Sequence, residues 1–486
     1  MTDDTRVVKA VRKGLYVGGE WREATDGGTF AVFDPGTGER LSDVADGQPA
    51  DATAALDAAV AAQAGWAATP ARERGEILRA AWQLMTDRVE DLALLMTLEM
   101  GKSLTESRAE VTYAAEFFRW FGEEAVRIDG RYARNPAGGS RLLTMKQPVG
   151  PCLLITPWNF SLAMGTRKIG PAVAAGCTMV VKPAQLTPLS LLALTDLLTE
   201  AGLPAGVLNV VPSSSAGKTV GPLMADPRLR KVSFTGSTPV GQKLMEQAAT
   251  NLLRVSMELG GNAPFLVFAD ADIDAAVEGA LVAKMRNNGE SCVAANRFHV
   301  AENVAEQFTA TLAERMAAMK VGHGAQQGTQ VGPLIDEDQR GKVVELVDDA
   351  TSKGATVVTG GSAPDGEGYF YSPTVLSGVP QDARILREEV FGPVAPVTTF
   401  GSEEEALALA NGTEFGLVAY VFTRELARAL RVAEGLQTGM VGLNTGLVSN
   451  ASAPFGGVKA SGFGREGGAE GIDEYLSLKY IAVAGD

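Results

Sequence analysis

The sequence predicts an α/β protein built on parallel, doubly wound sheets. From about residue 149, strand-like apolar runs alternate with helix-like runs, and this rhythm is typical of parallel sheets. At 486 residues, the chain should hold about three structural units. Hydrophobic residues make up 45% of the chain and charged residues 21%, an ordinary globular composition that argues against disorder.

The predicted elements follow the apolar pattern in chain order. Residues 15–45 alternate and turn like a small hairpin, and residues 50–127 carry apolar side chains at helical spacing. The first α/β half is predicted as strands Cys152–Thr156, Met179–Lys182, Val207–Val211 and Lys231–Thr235, with helices Lys168–Ala175, Leu189–Ala201, Gly217–Ala225 and Gly241–Thr250. The second half is predicted as strands Phe265–Phe268 and Phe298–Val300, with helices Asp272–Arg286 and Val304–Met319. The tail, Glu474–Ala484, has the pattern of a strand without an obvious earlier partner, so we expect it to join another element or another subunit.

Charge and rare residues exclude several classes of function. Lys and Arg number 43 against 58 Asp and Glu, and the net charge of −15 should repel phosphate backbones and anionic lipid. We therefore expect neither nucleic acid nor a membrane as partner. The apolar runs are too short to span a bilayer and the first residues do not resemble a signal peptide, which predicts a cytoplasmic protein. The cysteines and the two histidines, His299 and His323, lack zinc-ligand spacing, so no metal site is predicted and both histidines are interpreted as structural.

Two side chains stand out as candidates for chemistry. Cys292 ends a polar, glycine-broken stretch, whereas buried structural cysteines normally have apolar neighbours, as Cys152 and Cys177 do. Its pattern fits a nucleophile as well as a structural thiol. Glu258 stands before two glycines and, taken alone, is typical of a surface acid.

The run from Lys231 to Gly241 combines a strand, a glycine turn and a helix start. The free N–H groups of such a helix would suit a pyrophosphate. Its G-x-x-x-x-G spacing differs from the usual G-x-G-x-x-G, so the pattern alone is a weak signal. The nearby segment Ser213–Thr219 is not a P-loop, because its first glycine is replaced by Pro212.

Seven short motifs run in order along the chain: Pro157-Trp158-Asn159-Phe160, Lys182-Pro183-Ala184, Phe234-Thr235-Gly236-Ser237-Thr238, Glu258-Leu259-Gly260-Gly261, Gly289-x-x-Cys292, Glu388-Glu389-Val390-Phe391-Gly392-Pro393 and Pro454-Phe455-Gly456-Gly457. In this order and spacing they resemble the aldehyde dehydrogenase superfamily over nearly the whole chain. Within it, residues 164–168, 286–287 and 444–450 look most like those of succinate-semialdehyde dehydrogenases.

The resemblance implies an aldehyde dehydrogenase-like fold with three parts. A Rossmann-type cofactor domain would comprise residues 1–121 and 146–258, and an α/β catalytic domain residues 259–451. A β oligomerisation projection would comprise residues 122–145 and 452–486, which would give the tail strand its partner. The family organisation further implies a homodimer or homotetramer.

The resemblance also implies NAD(P)-dependent oxidation of succinate semialdehyde to succinate. Cys292 would attack the aldehyde to form a thiohemiacetal and then a thioester. The Asn159 amide and the Cys292 N–H would hold the oxyanion, and Glu258 would activate the hydrolytic water. Lys168 and Glu466 would relay protons.

Binding residues are likewise implied by the resemblance. The distal carboxylate of the aldehyde would be held by Arg167, Arg286 and Ser449. Gln185 stands where NAD-selective relatives often carry Glu, so we expect NADP to be accepted alongside NAD, or preferred to it. The cofactor would contact Thr156, Pro157, Trp158, Lys182, Ala184, Gln185, Gly236, Ser237, Glu389 and Phe391.

Departures from the family pattern leave questions and alternatives open. Ser161 replaces a usual proline, which we expect to loosen the loop that aims Asn159. Glu290 replaces a usual glutamine near the nucleophile, and its carboxylate would raise the thiol pKa unless it points away. The alternatives are a dehydrogenase of another carboxylated aldehyde such as glutarate semialdehyde, a CoA-acylating enzyme, which would not need Glu258, and a non-catalytic binding relative.

Overall fold

The computed structural model describes residues 3–485, with side chains from residue 6 onward; the predicted domain ends at residues 1 and 486 lie outside the described residues. The amino-terminal part forms α1 (Asp3–Ala10), β1 (Leu15–Val17), β2 (Glu20–Arg22), β3 (Thr29–Phe33), β4 (Arg40–Ala45), α2 (Pro49–Ala68), α3 (Ala71–Asp87), α4 (Val89–Met100), α5 (Leu104–Glu124), β5 (Arg131–Arg134) and β6 (Ser140–Pro148). The next part forms β7 (Cys152–Ile155), α6 (Ala163–Ala175), β8 (Met179–Lys182), α7 (Leu189–Glu200), β9 (Leu208–Val210), α8 (Ala216–Ala225), β10 (Lys231–Thr235), α9 (Thr238–Thr250) and β11 (Arg254–Glu258).

The remaining part of the chain starts a second α/β arrangement. It forms β12 (Ala263–Val267), α10 (Ile273–Met285), β13 (Ala295–Ala301), α11 (Glu302–Ala317), α12 (Glu337–Ser352), β14 (Thr356–Thr359), β15 (Thr374–Ser377), β16 (Val394–Phe400), α13 (Glu403–Asn411), β17 (Val418–Phe422), α14 (Leu426–Gly435), β18 (Met440–Leu443), β19 (Gly462–Phe463), α15 (Glu470–Asp473) and β20 (Leu476–Ala484). Short 3₁₀ turns lie at Ala125–Arg127, Arg286–Gly289, Arg384–Leu386 and Lys459–Ser461.

Two large sheets carry the fold, which confirms the predicted α/β class. The first has eight strands in the order β19-β11-β10-β7-β8-β9-β1-β2, and its β11 to β9 pairings are parallel. The second has seven strands in the order β14-β15-β16-β13-β12-β17-β18, and only its β14 edge is antiparallel. The central strands are buried along their whole length, as continuous apolar runs predict for parallel sheets covered on both faces.

The tail strand β20 pairs antiparallel with β6 over its whole length, from Leu476 opposite Pro148 to Ala484 opposite Ser140. With β5, these two strands form a separate three-stranded sheet. The partner that the apolar pattern did not show is therefore another element of the same chain. The domain boundaries stay a prediction, and β19, within the range predicted for the projection, pairs with β11 in the first sheet.

Helix α6 begins earlier than the apolar pattern predicted, at Ala163 instead of Lys168. All thirteen of its residues are buried, including Arg167 and Lys168, so it has no polar face whose periodicity could mark its start. The residue that caps its end, Gly176, takes the left-handed conformation common at helix ends (φ 88°).

No helix in the described part of the chain is long and apolar enough to cross a membrane.

The two sheets bring different strand ends to one place. In the first sheet, the parallel strands β7, β8, β10 and β11 end beside one another, where open α/β sheets bind ligands. In the second sheet, the segments that precede β13 and β16 carry Cys292 and Glu389. Many of the predicted site residues thus come from carboxyl ends of strands in one sheet and from segments before the amino ends of strands in the other.

Candidate active site

A cleft of about 280 Å³ lies where these strand ends meet. Most of the predicted catalytic and cofactor residues border it, together with Met164, Gln339 and Lys342. Its lining includes Pro157, Trp158, Asn159, Gly236, Ser237, Glu258, Cys292, Glu389 and Phe391.

Close backbone contacts hold the Cys292 loop in the cleft. A Cβ atom at Gly261 would lie 2.3 Å from the Cys292 carbonyl oxygen, so only glycine fits beside the nucleophile loop. A Cβ atom at Gly289 would lie 2.2 Å from the Gly392 oxygen. Glycines of two predicted motifs, Gly261 and Gly289, are therefore explained by loops that touch main chain to main chain.

The Cys292 thiol is protonated at neutral pH in this environment. Burial raises its pKa to about 12, and the guanidinium of Arg167 is the main influence that opposes the rise. Glu389 and Glu258 raise the pKa further. Glu290 points away from the sulfur, because its Oε1 accepts a hydrogen bond from the Ile335 N–H at 3.0 Å.

Glu258 ends strand β11, opposite Thr235 at the end of β10. It is buried, and neither carboxyl oxygen has a hydrogen-bond partner among the described residues. Burial, followed by the charge of Glu466, raises its pKa well above the usual carboxyl range, while Arg167 and Lys168 oppose the rise. In its ionised form, an unsatisfied carboxylate in the cleft can take a proton from a thiol or from a water.

Glu466 joins two cations behind the cleft. Lys168 donates to its Oε1 and also to Ser233 Oγ, and Arg167 Nη2 lies 2.8 Å from its Oε2. Although burial acts against it, Lys168 and Arg167 lower the pKa of Glu466. The guanidinium of Arg167 also packs 4.0 Å from the ring centroid of Phe455. Arg167 thus forms an ion pair with Glu466, while its Nε and Nη2 have no hydrogen-bond partner among the described residues.

Asn159 is held by its main chain and its side chain together. Its carbonyl oxygen accepts from Lys102 Nζ at 2.8 Å and from Asn287 Nδ2 at 2.9 Å. Its own Nδ2 donates to the Glu290 carbonyl oxygen at 3.0 Å. Lys102 is fully buried and forms an ion pair with Glu110. Glu110 also accepts hydrogen bonds from the two main-chain N–H groups at the start of α6, those of Leu162 and Ala163. The replacement at Ser161 thus leaves a loop that is tied down at several points.

The cleft has features that fit a dinucleotide. Helix α9 begins there with no side chain capping its first N–H groups, which leaves a positive helix end free for a pyrophosphate. The hydroxyl of Thr235 is buried without a partner among the described residues. The Trp158 and Phe391 rings meet edge to face, with centroids 5.7 Å apart. Glu389 accepts from the Gly261 N–H at 2.8 Å, and burial raises its pKa to about 7.

Three predicted cofactor residues at the end of β8 lie outside the lining of this cleft: Lys182, Ala184 and Gln185. Lys182 is 6% exposed, and burial lowers its pKa to about 8. Gln185 is exposed. Thr156 is buried at the end of the neighbouring strand, where its N–H donates to the Lys182 carbonyl oxygen.

Of the three residues predicted to bind the substrate carboxylate, Arg286 and Ser449 contact each other and Arg167 pairs with another residue. Arg286 Nη1 donates to Ser449 Oγ at 3.0 Å, and its guanidinium packs 5.2 Å from the Phe160 ring and 5.6 Å from the Tyr113 ring. Arg167 instead points to Glu466.

Sequence reasoning missed Tyr113, whose buried hydroxyl faces Ser449 and both guanidinium groups. Its ring meets Phe117 edge to face, and Tyr113 and Ser449 line a groove of about 370 Å³ beside the cleft. The only signal for Tyr113 was a polar tip within an amphipathic helix, which is too common to single it out.

The two histidines lie outside the cleft lining. His299 is buried, with Nδ1 2.6 Å from Thr398 Oγ1, and burial lowers its pKa to about 3. His323 contacts Asp34. Among the residues that the structure describes, no group of three or more metal-ligating side chains comes together.

Comparison with known proteins gives consistent matches over most of the chain. The model of the aldehyde dehydrogenase family matches residues 21–481. A succinate-semialdehyde dehydrogenase of Paenarthrobacter nicotinovorans is 61% identical over 91% of this chain and 99% of its own. A glutarate-semialdehyde dehydrogenase of Pseudomonas putida is 50% identical over 97% of this chain and 98% of its own. The crystal structure of an NADP-dependent enzyme of Escherichia coli superposes with a TM-score of 0.97, at 49% identity and 98% coverage of both chains.

Proposed function

The chain belongs to the aldehyde dehydrogenase family, and from this premise we propose that it oxidises succinate semialdehyde to succinate with NAD(P)⁺. The family match and the 61% identity to a succinate-semialdehyde dehydrogenase support the reaction. The intact set of Cys292, Glu258 and Asn159 argues against a non-catalytic relative. A CoA-acylating enzyme would have no use for a buried, unpartnered carboxyl group in the cleft.

The observation that carries the substrate assignment is the pair formed by Arg286 and Ser449. A guanidinium held by a hydroxyl and two aromatic rings has donors left for a carboxylate, and the Tyr113 hydroxyl lies beside it. In a protein of net charge −15, this local positive potential is what an anionic aldehyde needs.

In the proposed first step, the Cys292 sulfur adds to the aldehyde carbon. Because burial raises the thiol pKa to about 12, the thiol proton has to pass to a base as the carbon–sulfur bond forms. Glu258 lines the cleft and has no hydrogen-bond partner among the described residues, so we assign it this role. The Asn159 amide and the Cys292 N–H receive the negative charge on oxygen. A bound NAD(P)⁺ would supply the acceptor for the hydride that leaves the same carbon.

Before the proposed second step, Glu258 passes on the thiol proton and becomes ionised again. It then takes a proton from water as the water oxygen bonds to the thioester carbon, the carbon–sulfur bond breaks, and Glu258 returns the proton to the departing sulfur, which releases the acid and the thiol. Glu258 has to be ionised for this role, and the cations Lys168 and Arg167 favour its ionised form against burial. Lys168 and Glu466, joined directly behind the cleft, provide a route for the proton.

We further propose that NADP is accepted alongside NAD, or preferred to it. Gln185 is neutral and exposed near Lys182, so its side chain would not repel a 2′-phosphate as a glutamate would, although the Asp46 carboxylate also acts on Lys182. The Escherichia coli structural neighbour is NADP-dependent. The α9 helix end, the Trp158 ring and Glu389 would contact the rest of the cofactor.

Glutarate semialdehyde is the second candidate substrate, because a glutarate-semialdehyde dehydrogenase is 50% identical to this chain. It carries the same terminal carboxylate one methylene further from the aldehyde. The same arginine–serine pair could receive it, so chain length is the property that has to be measured.

We propose that the protein is a cytoplasmic homodimer or homotetramer. The three-stranded sheet presents exposed apolar side chains that a second copy would cover, including Tyr132, Leu478 and Tyr480. A reducing compartment would keep the thiol of Cys292 available.

The test is a panel of aldehydes, each assayed with NAD and with NADP by absorbance of the reduced nicotinamide. We expect the highest kcat/KM with succinate semialdehyde, a lower value with glutarate semialdehyde and a much lower value with butyraldehyde, which has the four-carbon chain without the carboxylate. A higher value for butyraldehyde than for both semialdehydes would contradict the substrate assignment. Size-exclusion chromatography with light scattering would determine the oligomeric state.

A further inference from the structure

Three consecutive residues shortly before Cys292 hold a left-handed backbone. The φ angle is 58° at Asn287, 58° at Asn288 and 79° at Gly289. Glycine adopts this region freely and asparagine tolerates it, but two adjacent left-handed asparagines still cost conformational free energy. All three residues are buried, so contacts of their side chains must keep the segment in this shape.

The side chain of Asn287 links two loops from different sheets. Its Nδ2 donates to the Asn159 carbonyl oxygen at 2.9 Å and to the Glu290 carbonyl oxygen at 2.9 Å. A primary amide has two N–H hydrogens, so both are used. One bond reaches the loop after β7, and the other the loop before β13. Asn287 therefore sets the distance between the two loops that carry the proposed oxyanion donors.

The Glu290 carbonyl oxygen also orients the Asn159 side chain. Asn159 Nδ2 donates one hydrogen to that oxygen at 3.0 Å, which leaves its second hydrogen for a ligand. The direction of this free hydrogen depends on where the Glu290 peptide lies. That peptide is fixed in turn by Asn287.

We propose that Asn287 is a positioning residue for the oxyanion site. By tying the main chains of Asn159 and Glu290 together, it aims the free Asn159 N–H and the Cys292 N–H at one oxygen atom. It acts through Asn159 and is not itself a donor to the substrate. The proposal rests on the proposed function in taking Asn159 as an oxyanion donor.

Asn288 offers a matched control. It has the same left-handed φ and is equally buried, but its amide bonds lead elsewhere: Oδ1 accepts from the Gly332 N–H at 2.8 Å and Nδ2 donates to the Pro333 carbonyl oxygen at 3.0 Å. Glycine at either position keeps the backbone conformation and removes one amide. A difference between the two glycine variants therefore reports the contact with Asn159.

The experiment measures single-turnover hydride transfer at saturating cofactor in five proteins: the wild type, Asn287→Gly, Asn288→Gly, Asn159→Ala and the double variant Asn159→Ala with Asn287→Gly. We expect Asn287→Gly to be about 10- to 100-fold slower, less than the 10²–10³-fold typical of a lost oxyanion donor. We expect Asn288→Gly to stay within about threefold of the wild type, and the dissociation constant for the cofactor to change less than about twofold in both. Because Asn287 acts through Asn159, the double variant should be no slower than Asn159→Ala.

Losses that multiply in the double variant would overturn the proposal, as would equal losses in the two glycine variants. If Asn287→Gly does not fold, as judged by thermal unfolding and cofactor binding, Asn287→Asp replaces it in the same cycle. Aspartate keeps the shape and tolerates the left-handed backbone but presents an oxygen to each carbonyl oxygen. The five proteins can be compared with any aldehyde that the wild type oxidises, so the test of Asn287 does not depend on the substrate assignment. An error in that assignment would appear only in the panel of aldehydes assayed with the wild type.

Discussion

The two arginines predicted to bind the substrate carboxylate should respond differently to removal. Arg286 contacts Ser449 and two aromatic rings, with no carboxylate paired to it in the described part of the chain, while Arg167 pairs with Glu466 and lies close enough to Cys292 to affect its pKa. Arg286→Ala should therefore weaken binding of the substrate carboxylate, and Arg167→Ala should disturb the catalytic groups as well.

The size of the Arg286 effect follows from the contact that is lost. One hydrogen bond to a charged group contributes about 1.5–3 kcal/mol, so kcat/KM for succinate semialdehyde should fall about 10- to 150-fold. Butyraldehyde has no carboxylate, so its kcat/KM should change by less than about threefold. Arg286→Lys keeps the charge without the planar fork, and we expect it to recover only part of the loss.

Arg167→Ala should lower kcat/KM for both aldehydes in parallel. Glu466 loses one of its two cations, and Cys292 loses the charge that most favours its thiolate. Both variants are assayed with both aldehydes under the same conditions. If Arg286→Ala lowers kcat/KM equally for both aldehydes, the Arg286–Ser449 pair is structural and does not bind the substrate carboxylate.

Three further outcomes test the chemistry and the cofactor. Cys292→Ala should show no hydride transfer. Glu258→Gln should lose about 10²–10⁴-fold in steady turnover and should also slow the first hydride transfer, because the proposed first step passes the thiol proton to Glu258; full steady-state activity in either variant would contradict its role. The charge of Lys168 opposes the rise in the pKa of Glu258, so Lys168→Met should raise that pKa further. The acid limb of the pH–kcat profile should then move to higher pH, and a limb that stays in place or moves to lower pH would contradict this. Gln185→Glu should reduce kcat/KM for NADP far more than for NAD, because a carboxylate repels the 2′-phosphate, and equal losses would mean that the side chain does not face the adenosine ribose.

Much of the fold could be predicted because the parallel strands are buried apolar runs. Met179–Lys182 and Lys231–Thr235 were predicted with the bounds that the structure has. The start of α6 was predicted late, because a helix buried on every side shows no periodicity. The partner of β20 was missed from the apolar pattern, because β6 is only partly buried along its length and so lacks an apolar stripe.

The sequence predicted only those site residues that belong to recognisable motifs. Glycines such as Gly261 and Gly289 mark positions where two loops touch, which sequence alone shows only as a pattern. The site also includes Lys102, Tyr113 and Asn287. Each of them contacts a site residue that lies far from it in the sequence. Their importance depends on which main-chain atoms they reach, and spacing does not reveal that.

The origin of the site in two sheets has a consequence for the reactivity of the thiol. In an unfolded or half-docked chain, Cys292 is an ordinary thiol with a pKa of about 8.5, whereas in the native protein burial raises its pKa to about 12. At neutral pH the docked protein thus holds less of its nucleophile as the reactive thiolate than an unfolded chain does. Alkylation of Cys292 near pH 8 should accordingly be slower in the native protein than in an unfolded chain, and any variant that loosens the contact between the two sheets should be labelled faster.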